Sequence, residues 1–270
     1  MRAPLAVLLL AAGAAGCADT GVERSSDSSA ARAVLRAVAK TEDAPSLRYR
    51  TTGRLPEDGR VRADGVVGTA PRVAAVKQSG LSGANHGEFE MRLVDRVLYQ
   101  RMGKQQVHGR HWAGFGPRAR FLSGSGLKMD TSAIRDQTGR NPAREAAFLA
   151  AADDVRRVGA EKVAGTATTH YAGTATLDAV SAWLKDRGDA PGRGQTTLKM
   201  YQGMGVDELT IDVWVGSDGR VKQHRTRGFG RHGELDLTVV LRDFGKPVSV
   251  QAPPAGDTVD LSRPARKGRG

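Results

Sequence analysis

A chain of 270 residues with one cysteine cannot form an internal disulfide, so its core rests on packing alone. Hydrophobic residues are 39% of the chain and aromatics 5%, which makes that core lean and rich in Val, Leu and Ala. The formal net charge of +12 suits an anionic surface; the basic residues are not interleaved with aromatics, which argues against nucleic acid as the partner.

At the N-terminus, Arg2 precedes an apolar run from Ala3 to Ala15. That run is shorter than the about 20 residues a spanning helix needs, and it fits the hydrophobic region of a signal peptide. It ends in Ala14-Ala15-Gly16-Cys17. Small residues before a lone cysteine resemble a bacterial lipobox, in which the thiol is acylated and becomes the mature N-terminus. Ala14 stands where that motif usually has Leu, and ordinary signal cleavage near Ala14 is the alternative. The expected organisation is a lipoprotein signal peptide over 1–16, lipid attachment at Cys17 and a flexible tether over 17–29. A single domain over 30–256 and a disordered basic tail over 257–270 follow. Arg263, Arg266, Lys267 and Arg269 carry the charge of the tail.

The domain starts with a helix capped by Ser28 or Ser29. Ala31, Val34, Leu35 and Val38 recur at helical spacing, and Arg32, Arg36 and Lys40 occupy the opposite face, which suits either solvent or a bilayer. A meander follows. Leu47, Tyr49 and Thr51 alternate with Arg48, Arg50 and Thr52, and Asp58-Gly59 marks a hairpin tip. Val61, Ala63, Gly65 and Val67 form the apolar face of the next strand, and Arg72–Gln78 the third strand. Phe89, Met91 and Leu93 alternate with charged residues, Asp95 turns the chain, and Arg96–Gly103 returns. Short runs separated by turns predict an antiparallel sheet.

Lys104–Thr138 is rich in glycine and carries Trp112, Phe115 and Phe121. Aromatics in a loop need burial, so this segment is expected to lie over the sheet. Asn141-Pro142 opens an alanine-rich helix to about Asp153. Two strands follow, the second being Val163–Thr176, read as a central strand that joins two halves of the sheet. Thr176 caps a helix whose stripe is Ala179, Val180, Trp183 and Leu184; residues 198–204 fit helix or strand equally. Leu209, Ile211, Val213 and Val215 then share one face, with Asp212 and Trp214 on the other. Leu235, Leu237, Val239 and Leu241 line the last strand.

No catalytic constellation emerges. Gly228-Phe229-Gly230-Arg231-His232-Gly233 matches a dinucleotide fingerprint, but a strand follows where a helix is required. The six histidines lack metal-ligand spacing, no nucleophile elbow occurs, and acylation of Cys17 excludes thiol chemistry. Asp207, Glu208 and Asp212 read as solvated strand acids, and Arg187-Gly188-Asp189 is too short to be specific. His170 and Tyr171, adjacent on a strand, point to opposite faces. No cofactor is implied.

Several pieces in fixed order resemble the LppX/LprG-type lipoproteins of high-G+C Gram-positive bacteria, which have the LolA/LolB-like fold. They are Leu98-Tyr99-Gln100-Arg101-Met102-Gly103, Trp112, and Val158–Gly165 leading to Thr169-His170-Tyr171. Val213-Trp214-Val215, Asp218-Gly219-Arg220-Val221, Asp243-Phe244-Gly245 and Ala252-Pro253-Pro254 complete the set. The resemblance covers about Ala30 to Pro254. It implies an α+β fold: a strongly curved antiparallel sheet of about 10–11 strands, an unclosed half-barrel, with a few helices on its concave side. It further implies a monomeric, membrane-anchored, non-enzymatic carrier of acyl lipid, lipoglycan or lipoprotein in an apolar cavity. The expected lining is Tyr49, Val67, Phe89, Met91, Tyr99, Trp183, Leu209, Ile211, Val213, Leu235, Leu237 and Val239. Alternation looks the same for a filled core and a lined cavity, so an envelope sensor or interaction module without cargo is the alternative. The basic exterior is expected to meet anionic head groups.

Overall fold

Alternating apolar residues need a partner surface, and here the strands supply it by pairing into one sheet. The computed structural model describes residues 29–80, 87–117, 120–122, 128–130, 138–188 and 194–262. The signal peptide, Cys17, most of the tether, the four tail cations, His86 and Asp189 lie outside these residues. The first meander runs in chain order through β1 (Ser46–Leu55), β2 (Gly59–Thr69), β3 (Arg72–Gly80), β4 (Gly87–Val94), β5 (Val97–Met102) and β6 (Trp112–Phe115). A separate hairpin joins β7 (Arg120–Leu122) and β8 (Lys128–Asp130). The second meander comprises β9 (Arg156–Val163), β10 (Thr166–Thr176), β11 (Glu208–Gly216), β12 (Val221–Gly230) and β13 (Gly233–Arg242). The meanders join where β1 pairs antiparallel with β13, setting Tyr49 opposite Leu241 and Thr51 opposite Val239. With β14 (Thr258–Asp260) added parallel to β6, the result is an open, strongly curved sheet of 12 strands.

Three sequence expectations change. β10 is not central: it sits one strand in from the β9 edge, because β13 pairs with β1 and not with a neighbour of β10. Trp112–Phe115 does not lie over the sheet but extends it as β6. Residues 257–262, the described part of the stretch expected as a disordered tail, include the strand β14 and are tied to the sheet. Asp257 accepts hydrogen bonds from the His111 backbone N–H at 3.0 Å and meets the His111 ring at 2.8 Å, and the Leu261 N–H donates to the Gly114 carbonyl at 2.8 Å.

The helices pack on one face of the sheet. Directly opposed residues on paired strands share a face. The register therefore places Leu47, Val67, Ala74 and Leu93 on the same side as Leu235, Val239, Val213 and Ile211. Against that side pack α1 (Ser29–Glu42), a 3-10 helix (Pro142–Ala151), α2 (Leu177–Asp186) and α3 (Gln195–Gly203). The alanine-rich segment predicted as a helix to about Asp153 is therefore a 3-10 helix. It is buried over most of its length, through Ala143, Ala146, Ala147, Phe148, Leu149 and Ala150. Residues 198–204, ambiguous in sequence, fall mostly within α3.

Candidate functional site

Between α1, the 3-10 helix and α2 lies a mainly apolar trough of about 300 Å³, lined by Leu35, Val38, Phe148, Trp183 and Leu184, with Glu42, Arg144 and Arg187 also bordering it. Phe148 and Arg144 also border a smaller chamber of about 160 Å³ under Tyr49, Pro142 and Glu145. At the C-terminal end of α1 lies a polar mouth of about 440 Å³, lined by Arg72, Arg140 and Arg144 together with Glu42 and Asn141. Arg144 borders all three spaces, which together make up the cleft.

Local hydrogen bonds hold the walls. The Asn141 carboxamide works at both ends: its oxygen caps the 3-10 helix by accepting from the Ala143 N–H at 3.0 Å, and its nitrogen donates to the Thr41 carbonyl of α1 at 2.9 Å. Thr41, fully buried, donates to the Ala37 carbonyl at 2.6 Å and accepts from the Val221 N–H at 2.9 Å, tying α1 to the sheet. An ion pair between Arg144 and Glu42 bridges the two helices across the mouth. Thr176 caps α2 by accepting from the Ala179 N–H at 3.1 Å, as the sequence predicted. This launches the helix that carries Trp183 into the trough, where the Arg187 guanidinium lies 5.0 Å from its ring.

The floor is polar. Glu145 accepts from the hydroxyl of Tyr201 and from Thr226 Oγ1, the latter at 2.9 Å. Tyr201 is fully buried, and burial together with the neighbouring Glu145 carboxylate pushes its phenol well above the ordinary range. Burial likewise raises the Tyr49 phenol, and it lowers His224, keeping that imidazole neutral.

The residues expected to line a cavity separate into groups. Tyr49 and Trp183 border the cleft. Val67, Leu209, Ile211, Val213, Leu235 and Val239 lie on the helix-covered face but are packed within the core, and Leu237 packs against it. Met91 packs on a second cluster of Leu98, Ala113 and Phe115, and Phe89 is half-buried across from Met102. Tyr99 is on the other face. The two-residue turn Asp95-Arg96, with positive φ at both positions, pairs Val94 with Val97 and hence Arg92 with Tyr99. Tyr99 instead borders a separate depression of about 390 Å³ beside Gly114 and Pro253. Leu35, Val38, Phe148 and the three arginines were not anticipated. Leu35 and Val38 were visible as an α1 stripe, and Phe148 as the lone aromatic of an alanine run; nothing local marked the arginines.

The uncovered face carries a polar network that the sequence did not reveal. His170 on β10 and Trp214 on β11 are direct partners and their rings stack at 4.4 Å. The two His170 nitrogens lie 2.8 Å from Glu161 Oε1 and 2.8 Å from Asp212 Oδ1. The Trp214 indole donates to Glu161 Oε2 at 2.7 Å, and Arg227 donates to Asp212 Oδ2 at 2.6 Å. Asp212, read as a solvated strand acid, is thus 7% exposed and fully engaged. His170 and Tyr171 do point to opposite faces, and the glycine-rich fingerprint is the β12–β13 hairpin. Among the described residues, no group of three or more His, Cys, Asp or Glu could hold a metal ion.

No family model matches the chain. An uncharacterised 31.2 kDa protein of Streptomyces griseus is 29% identical over 201 residues, covering 72% of this chain and 62% of that protein. A candidate lipoprotein of Streptomyces coelicolor is 28% identical over 177 residues, covering 64% of this chain and 51% of that protein. The chain thus spans only about half to three fifths of the curated relatives it matches. Among solved structures, LprF of Mycobacterium bovis superposes with a TM-score of 0.50 at 16% identity, covering 83% of this chain and 96% of LprF. LppX of Mycobacterium tuberculosis gives a TM-score of 0.48 at 14% identity, covering 83% and 100%. The likeness to LprF establishes the fold, and it is the LppX/LprG-type fold that the sequence pieces implied.

Proposed function

We propose that this protein is an extracytoplasmic lipoprotein, anchored to the cell membrane through Cys17, that binds acylated molecules in the cleft between α1, the 3-10 helix and α2. One observation carries the reading: an apolar trough of about 300 Å³, walled by Phe148 and Trp183, lies within the helix layer of an open half-barrel. That volume is at the lower end of the usual range for ligand sites, and its apolar lining suits hydrocarbon. The lipobox-like Ala14-Ala15-Gly16-Cys17 and the likeness to a candidate lipoprotein of Streptomyces coelicolor support the anchor.

Mass spectrometry of organic extracts tests this. Protein purified from an actinobacterial host is expected to carry acyl lipid in stoichiometric amounts. Trp183→Glu, which puts a carboxylate in the half-buried trough wall, is expected to lower acyl-probe affinity at least tenfold without unfolding the chain. Absence of co-purifying lipid, together with failure of the wild type to bind an added acyl probe, would leave the sensor or interaction role in its place.

A further inference from the structure

The small chamber beside the 3-10 helix carries polar groups that holding a hydrocarbon chain does not require. Glu145 borders it with one carboxylate oxygen already engaged: Oε1 accepts from the hydroxyl of Tyr201 on α3 and, at 2.9 Å, from Thr226 Oγ1 on β12. Tyr201 is 0% exposed and Thr226 1%, so two donors rooted in the core fix the direction of this carboxylate. The other oxygen, Oε2, meets no hydrogen-bond donor among the described residues. Tyr49 borders the same chamber from β1. Its ring is confined, since a Cβ on Gly65 would stand 2.1 Å from Cζ and 2.5 Å from the phenol oxygen. That phenol makes no hydrogen bond among the described residues, and burial raises its pKa. A ligand that expels water from the chamber must supply partners to both groups, or it leaves them buried and unpaired at a cost. Charge narrows the class of ligand. Arg140 and Arg144 also border the chamber, which disfavours a cation, and the Glu145 carboxylate disfavours an anion. A neutral hydroxyl both donates and accepts, so one such group satisfies an acceptor-only carboxylate and a phenol together.

Resting on the acyl-binding reading of the trough, we infer that the chamber selects a neutral amphiphile with a free hydroxyl, which donates to Glu145 Oε2 and accepts from the Tyr49 phenol while the hydrocarbon lies against Phe148 and Trp183. The chamber and the trough have Phe148, Arg144 and Gly194 in common, which sets the hydroxyl site within about one side chain of the hydrocarbon site. Tyr201 and Thr226 act as positioning residues, holding Oε1 so that Oε2 is left for the ligand.

The test uses the purified, delipidated full chain carrying Cys17→Ser and three probes of one chain length: dodecan-1-ol, its methyl ether 1-methoxydodecane, and dodecylammonium. Each is read by displacement of a fluorescent acyl probe. The ether can accept from Tyr49 but cannot donate to Glu145, so dodecan-1-ol is expected to bind at least tenfold tighter than either of the others. Glu145→Gln, checked for an unchanged circular dichroism spectrum, is expected to reduce the preference for alcohol over ether to threefold or less. Tyr49→Phe removes only a hydroxyl with no partner in the fold, and it is expected to weaken dodecan-1-ol at least threefold; this variant decides the matter if Glu145→Gln does not fold. Equal binding of alcohol and ether by the wild type would overturn the hydroxyl inference while leaving the acyl-binding reading intact. Dodecylammonium binding as tightly as the alcohol would overturn it in favour of a cation site. A tenfold preference that survived Glu145→Gln would overturn the assignment of Glu145. Failure of all three probes to bind would overturn both readings.

Discussion

Glu161 shows how a single exposed carboxylate takes on a structural part in this fold. The Trp214 indole N–H and then His170 hold its pKa below the ordinary carboxylate range. Asp236 on β13 is held low in the same way, chiefly by its paired hydrogen bonds from Arg225 at 2.8 and 2.6 Å. A carboxylate whose folded pKa is depressed stabilises fully above its unfolded value, near 4, and loses that stabilisation as pH falls through the folded value. Stability is therefore expected to be level above about pH 5 and to decline below about pH 4. Glu161→Gln should destabilise at pH 7 and approach the wild type as pH falls below about 4, read as denaturation midpoints across that range. A constant gap between the two proteins would contradict the network as drawn. This cluster was illegible beforehand, because Glu161, His170, Asp212 and Arg227 sit on four strands whose neighbours only the folded sheet defines.

At the scale of elements, the cross-strand pair Tyr49 and Gly65 decides how β1 and β2 meet the cleft. A Cβ on Gly65 would fall 2.1 Å from Tyr49 Cζ, so the ring lies flat over the glycine. Gly65→Ala must displace a ring that also walls the small chamber beside Glu145, and overpacking of this kind costs about 1–3 kcal/mol. Combined with Tyr49→Ala, the glycine change is expected to cost less than it does alone, which a double-mutant cycle by urea denaturation would measure. Additive losses would show that ring and glycine are not coupled. Other elements could be read directly. Asn141-Pro142 and Thr176 cap their helices as predicted, since a cap needs only the next three residues. The Phe89, Met91, Leu93 alternation was equally local. Tyr99 was misread because Val97, Leu98 and Tyr99 are consecutive apolar residues with no period. The signal that could have resolved them was the two-residue turn at Asp95-Arg96, whose register puts Leu98 opposite Leu93 and turns Tyr99 away.

At the scale of the whole molecule, the proposed anchor would hold a basic domain beside a membrane. No helix among the described residues is long and apolar enough to cross one. The proposed attachment is acylation of Cys17, with electrostatics as a second and weaker hold. Arg32, Arg36 and Lys40 are exposed along α1, the first described element after the tether, and each well-placed cation near an anionic surface is worth about 1 kcal/mol. Cys17→Ser is expected to move the protein from the membrane to the soluble fraction of its host. The soluble form should still bind vesicles containing phosphatidylglycerol at low ionic strength and dissociate on raising salt to about 0.5 M, where screening shortens the reach of surface charges. A Cys17→Ser chain that remained membrane-bound in high salt would rule out this anchor.

What the sequence determined by itself was most of what depends on near neighbours: hairpin tips, helix caps, the α1 stripe and the strand faces apart from that of Tyr99. Hydrophobic periodicity and turn chemistry act over a few residues, so they are written in the order of the chain. Tertiary structure alone decided that β1 closes on β13, which moved β10 from the centre to the flank and left Leu209, Ile211 and Val213 packed as core. It also decided that Arg72, Arg140 and Arg144 share one mouth and that Glu161, His170 and Asp212 share one face. Those groupings follow from long-range strand pairing and helix docking, and no local pattern encodes which distant charges such packing will bring together.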